Sequence, residues 1–154
     1  MLGRLAERGA QAMRVLLVEA SGAPADLVAA HGSRATPYSA FLSPEGMRAV
    51  TGTVGGISVD KSLLFTRDET GRATGTNTLV AEAHAAGLEV YCWTLRPENR
   101  YLESVFRRGE DPAAHGAWRE EFLAILATGV DGVFADQPEL AIEARAALLG
   151  DPRP

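Results

Sequence analysis

The sequence predicts an α/β fold, and three observations carry that prediction. Short runs rich in Val, Leu and Ile alternate with stretches of helical character; each apolar run closes on polar residues; and no Asn-Gly or similar tight-turn signal joins one run to the next. Strand-then-helix units that follow one another without hairpins make a parallel sheet with right-handed crossovers. The chain has 154 residues, 46% hydrophobic and 23% charged, which is the composition of one globular domain, or part of a larger one, and excludes a mainly disordered protein.

The first helix is expected over residues 2–11, where Leu2 and Leu5 stand at i, i+3 spacing, and the first strand over 13–19 (MRVLLVE). Ser43, Pro44 and Glu45 read as N-cap, N1 proline and first-turn acid of a helix reaching about Val50. Residues 56–59 (GISV) form a short strand that closes on Asp60 and Lys61, and 66–75 a loop rich in Gly, Thr and charge. Residues 78–87 form a helix whose Gly87 suits the position just past its end. The clearest strand is 88–95 (LEVYCWTL). A short helix is expected from Pro97 to about Arg107, and a longer one over 117–127 with Trp118, Phe122, Ile125 and Leu126 on one face. Residues 132–135 (GVFA) are the last strand, and 138–149 the last helix, with Pro138 in its first turn.

A closed eight-unit barrel takes about 250 residues, so four units in this length amount to half of one. An open doubly wound sheet is the alternative, although no G-x-G-x-x-G follows the first strand, and the Gly-rich stretch at 52–56 precedes a strand instead.

Charge excludes several partners. Fifteen Lys plus Arg against twenty Asp plus Glu give a net charge of −5, and the longest basic run is the Arg107-Arg108 pair, which is no footprint for a nucleic acid or an anionic membrane. Cys92 is the single cysteine and lies in an apolar run, so a buried thiol is expected and an internal disulfide is impossible. His31, His84 and His115 have no metal-ligand spacing, and no G-x-S-x-G supplies a hydrolase nucleophile. The first eight residues carry charge where a signal peptide needs an apolar segment, and no run approaches the roughly 20 apolar residues of a membrane span. As written, the sequence reads as soluble and cytoplasmic.

In parallel α/β folds functional groups gather at the carboxyl ends of strands. Those ends carry Glu19; Asp60 and Lys61; Trp93, Thr94 and Arg96; and Asp136 with Gln137. Lys61 and Arg96 beside the Trp93 ring suit a phosphate-bearing ligand with a small organic head, because both cations give charge-assisted donors. We take these three as substrate-binding, with Glu19 and Asp136 at the rim. Plainer roles stand beside that reading: Glu19 and Asp136 as helix caps or arginine partners, Arg96 as a solvated cation, and Trp93 as packing. Glu19, Asp60 and Asp136 are the carboxylates that would have to meet for a hard cation to bind. No residue is assigned a catalytic or metal-ligating role.

Four strings then form an ordered pattern: LSPEGM at 42–47, GISVDKSL at 56–63, LVAEAHAAGLEVYCWTLRPEN at 79–99 and GVDGVFADQPE at 129–139. This pattern resembles the glycerophosphodiester phosphodiesterases of the bacterial periplasmic type. The resemblance implies a TIM (β/α)8 barrel that hydrolyses glycerophosphodiesters to glycerol 3-phosphate and an alcohol with a divalent cation, Ca or Mg. It places residues 1–154 on the second half of that barrel, strands five to eight. Relatives of this kind are often periplasmic or secreted. The family's machinery lies mainly in the first half: an H-R-G motif, a Glu-x-Asp metal pair, a second histidine and a further metal-binding Glu. None of these is in this sequence, so no cation is expected to bind this chain alone. By the same resemblance, Trp93 borders the glycerol or alcohol side, and Glu19 stands where relatives carry Gln.

Two functions therefore stand open: the carboxyl-terminal part of a phosphodiesterase, inactive by itself, or a non-catalytic half-barrel scaffold. A half-barrel leaves two open sheet edges and a bare interior face, which favours self-association.

Overall fold

Four of the apolar runs line up side by side in a parallel sheet. In the computed structural model, which describes residues 2–9 and 11–150, α1 (Leu2–Glu7) leads into β1 (Val15–Val18). There follow α2 (Ala25–His31), α3 (Tyr38–Phe41), α4 (Pro44–Val50), β2 (Gly56–Asp60), a hairpin of β3 (Phe65–Arg67) and β4 (Ala73–Thr76), and α5 (Leu79–Ala85). The chain then runs through β5 (Glu89–Leu95), α6 (Trp118–Leu126), β6 (Gly132–Ala135) and α7 (Pro138–Leu149). The sheet order is β1-β2-β5-β6, every neighbouring pair parallel. Strand order thus follows chain order with no reversal, as in the wall of a barrel, whereas a doubly wound sheet reverses at a switch point. The expected α/β class stands, and the barrel-like alternative is the one the topology takes.

Cross-strand register explains which face is covered. Leu16, Ile57 and Val90 form one row, and Val18, Val59, Cys92 and Val133 another. These rows join a core with Met47 of α4, Val80 and Ala83 of α5, Phe122 and Ile125 of α6, and Ala141 and Ala144 of α7. The alternate row, Leu17, Ser58, Tyr91 and Gly132, points the other way. On that uncovered face Leu17 is 51% and Phe134 57% exposed, bordering an open groove of ≈ 580 Å³.

Local sequence sets the helix ends. The Ser43 hydroxyl accepts from Gly46 N–H at 3.1 Å, with Pro44 in the first turn, so α4 begins where its cap signal stands. Past α5, Gly87 adopts φ +81°, its N–H donates to His84 O, and Leu88 N–H reaches back to Ala83 O. This left-handed turn satisfies the last carbonyls and needs a residue without Cβ.

Three expectations are corrected. The first helix ends at Glu7 rather than at residue 11. The helix expected from 97 to 107 is two 3-10 turns, Asn99–Tyr101 and Ser104–Phe106. Its amides bond to a distant loop: Asn99 N–H to Ala114 O, Arg100 N–H to Pro112 O, and Gly116 N–H back to Pro97 O. The loop expected at 66–75 contains a hairpin, closed by the Asp68 carboxylate, which accepts from Thr70 N–H and Arg72 N–H. Residues 20–42, for which the sequence pattern assigned nothing, hold α2 and α3. Among the described residues no helix is long and apolar enough to cross a membrane.

Candidate functional site

The carboxyl ends of β2 and β5 open into a cavity of ≈ 470 Å³ bordered by Lys61, Trp93, Arg96, Arg100, Glu103 and Arg107. The parallel register sets Asp60 opposite Trp93, which brings Lys61 and Arg96 to one end of the sheet. Between Cys92 and Leu95 the pairing with β6 slips by one residue, so that Trp93 and Thr94 together face Phe134. Such an irregularity re-aims side chains beside a site, and Trp93 and Thr94 border both the polar cavity and the open groove. The Trp93–Thr94 peptide bond is cis. Trp93 is half-buried and its indole N–H donates to Ser58 O at 3.2 Å, so its ring is a fixed wall.

Lys61 sits at the predicted place, but it is buried and ion-paired with Glu121 of α6. The other Glu121 oxygen accepts from Glu103 N–H at 2.7 Å. Burial pushes the Glu121 carboxyl up, against the pull of Lys61 and of its hydrogen bonds. Glu103 in turn receives both terminal nitrogens of Arg67, at 2.7 and 2.9 Å, and its hydrogen bonds raise the Arg67 guanidinium. Two ion pairs, Arg67–Glu103 and Lys61–Glu121, are thus joined through the backbone N–H of Glu103.

Arg96 is half-exposed and pairs with Asp136 at 2.6 Å, while its guanidinium lies 4.5 Å from the Tyr101 ring centre. The arginine-partner role open to Asp136 is therefore the one it takes. The Arg100 guanidinium lies 5.0 Å from the centre of the same ring, and Arg107 Nε donates to Leu102 O at 2.9 Å. Neither Arg100 nor Arg107 is ion-paired among the described residues. Both border the cavity from the segment that forms two 3-10 turns where an α-helix was expected. The sequence reading missed them for that reason, and missed Glu121 as well. A visible signal existed for Glu121, which interrupts the apolar stripe of Trp118, Phe122 and Ile125. Asn99 anchors the segment: its amide donates to Arg108 O and Asp111 O and accepts from Arg108 N–H.

Glu19 is exposed and lies outside this cavity's lining. The three carboxylates that could have held a cation are not brought together. Asp60 caps Ser62 N–H at 2.8 Å, Asp136 holds Arg96, and no group of three or more His, Cys, Asp or Glu among the described residues could hold a metal ion. The donor set among the described residues does not fit a divalent cation.

What the cavity can do chemically is receive an anion of phosphate size against guanidinium groups and an indole wall. The model of the Glycerophosphoryl diester phosphodiesterase family matches residues 19–140, from the residue after β1 to the first turn of α7. The chain belongs to this family. No curated protein matches it. Membership in the glycerophosphoryl diester phosphodiesterase family gives the cavity a chemical context, phosphoric diester hydrolysis, and members generally use a divalent cation. Among its described residues, this phosphodiesterase-family chain carries a cavity with cationic walls but no cluster of donors for that cation.

Proposed function

We propose that the chain is the carboxyl-terminal part of a glycerophosphodiester phosphodiesterase of the bacterial periplasmic type, residues 1–154 forming strands five to eight of its barrel. Its role is to hold the substrate: the phosphate against Arg96, Arg100 and Arg107 over the Lys61 floor, and the glycerol or alcohol side against Trp93. General acid, general base and metal ligands come from a first half that carries the H-R-G motif. The products are glycerol 3-phosphate and an alcohol, which places the protein in glycerol and lipid metabolism. The observation that carries this reading is the cationic cavity at the carboxyl ends of β2 and β5, with Trp93 as its wall.

The test is turnover of glycerophosphocholine. Pure chain with Mg or Ca shows none, and addition of a polypeptide carrying the H-R-G half restores it. EDTA-sensitive turnover by the pure chain sinks the proposal. The uncovered face with Leu17 and Phe134 favours a second reading, a non-catalytic half-barrel that pairs through its open edges. Sedimentation of the chain as a stable dimer that no added half dissociates selects that reading.

A further inference from the structure

The cavity's cations differ in how far they are already neutralised. Lys61 is answered by the fully buried Glu121 and Arg96 by Asp136, whereas Arg100 and Arg107 have no carboxylate among the described residues. A phosphodiester carries one negative charge, and a phosphate monoester at alkaline pH carries two. Each further uncompensated cation at the site favours the dianion more than the monoanion, since Coulomb energy scales with ligand charge.

We infer that Glu121 is a specificity-determining residue, which mutes the charge of Lys61 so that the cavity accepts a singly charged phosphodiester without strongly preferring a doubly charged monoester. Glu121 acts through Lys61 and touches no ligand, so it is a positioning residue. Its second oxygen, on Glu103 N–H, fixes it between the floor of the cavity and the segment that carries Arg100 and Arg107. The deep burial of Glu121 supports the inference. A carboxylate placed there only to steady α6 would cost more than an apolar side chain of the same size. The inference rests on the phosphate-binding reading of the cavity given above.

The experiment measures dissociation constants of methyl phosphate and dimethyl phosphate at pH 8 by NMR titration. Wild-type chain binds the dianionic methyl phosphate no more than about threefold tighter than dimethyl phosphate. Glu121→Gln, once shown folded by circular dichroism, tightens methyl phosphate roughly three- to tenfold and dimethyl phosphate by less. In a Lys61→Met background the same Glu121→Gln change moves neither constant beyond about twofold.

If wild-type chain binds neither probe, the phosphate reading falls and this inference with it. If it binds both but prefers the dianion more than tenfold, the inference alone is overturned, and that comparison needs no variant. An unchanged ratio in Glu121→Gln, or an equal change in the Lys61→Met background, overturns it too, because Glu121 then does not act through Lys61.

Discussion

Asp131 and Val90 bond each other in both directions: Val90 N–H donates to the Asp131 carboxylate at 2.7 Å, and Asp131 N–H donates to Val90 O at 2.8 Å. His84 Nε2 lies 2.9 Å from the same carboxylate oxygen, so α5, β5 and the entry to β6 meet at one side chain. Burial alone would raise the Asp131 carboxyl. The Val90 and His84 hydrogen bonds outweigh it and hold the group below its ordinary 3.8.

A carboxyl depressed by folding stabilises the folded state above its unfolded value and loses that contribution as pH falls through the folded one. Asp131→Asn is therefore expected to cost at most about 1 kcal/mol at pH 7, since the side chain is 35% exposed and partly screened, and the difference from wild type shrinks as the pH drops below about 4. Urea titrations at pH 7 and at pH 3 check this. A difference that grows on acidification contradicts it.

Burial of Cys92 pushes its thiol up to about 12, with the charge of Lys61 opposing. Ellman's reagent at pH 8 is expected to leave the native chain unmodified and to titrate one thiol only after denaturant is added. Rapid labelling of native protein would show that the face formed by Val59, Cys92 and Val133 is open.

Gly116 faces the cavity segment so closely that a Cβ there would lie 2.6 Å from Leu102 Cδ1 and 2.7 Å from Phe106 O, and against Asn99 Oδ1. Because one of these neighbours is backbone, the segment has to move. Gly116→Ala is expected to cost about 1–3 kcal/mol and to weaken phosphate binding through displacement of Arg100 and Arg107. Thermal melting together with the methyl phosphate titration reads both effects; a change in neither refutes the placement.

Arg67 meets Glu103 through two terminal nitrogens, a geometry that lysine cannot reproduce. Since the Arg67 side chain is 35% exposed, Arg67→Lys is expected to change global stability by under about 1 kcal/mol. It nevertheless frees the β3–β4 hairpin. Faster amide exchange at Asp68 and Asn77, whose N–H groups donate across the hairpin to Arg72 O and Leu64 O, with exchange in β2 and β5 unaltered, is the result to look for.

The parts legible in sequence were those with short-range causes. The Val/Leu runs became β1 and β5, the Ser43-Pro44 pair opened α4, and Lys61 and Arg96 came to one strand-end rim because parallel register puts them there. What sequence did not show depends on partners far along the chain. Residues 99–107 read as helical, yet their amides bond to residues 112–114, and no local pattern marks that choice. The hairpin turn is closed by the Asp68 side chain rather than by an Asn-Gly step. Lys61 follows β2 directly, as the run GISVDK implies, but its partner Glu121 is 60 positions away, so no local pattern shows its burial and pairing.

The strand order also governs how the chain reaches this state. Val15 pairs with Gly56, Gly56 with Glu89, and Tyr91 with Gly132, so every contact within the four-stranded sheet joins segments held apart by a whole crossover. Chain entropy is lost in closing each crossover before any ladder bond forms, which makes a topology of this kind slow to fold. During that delay the strip carrying Leu17 and Phe134 and the edges of β1 and β6 are open to neighbouring chains, so refolding is a race between crossover closure and bimolecular encounter, and its yield falls as concentration rises.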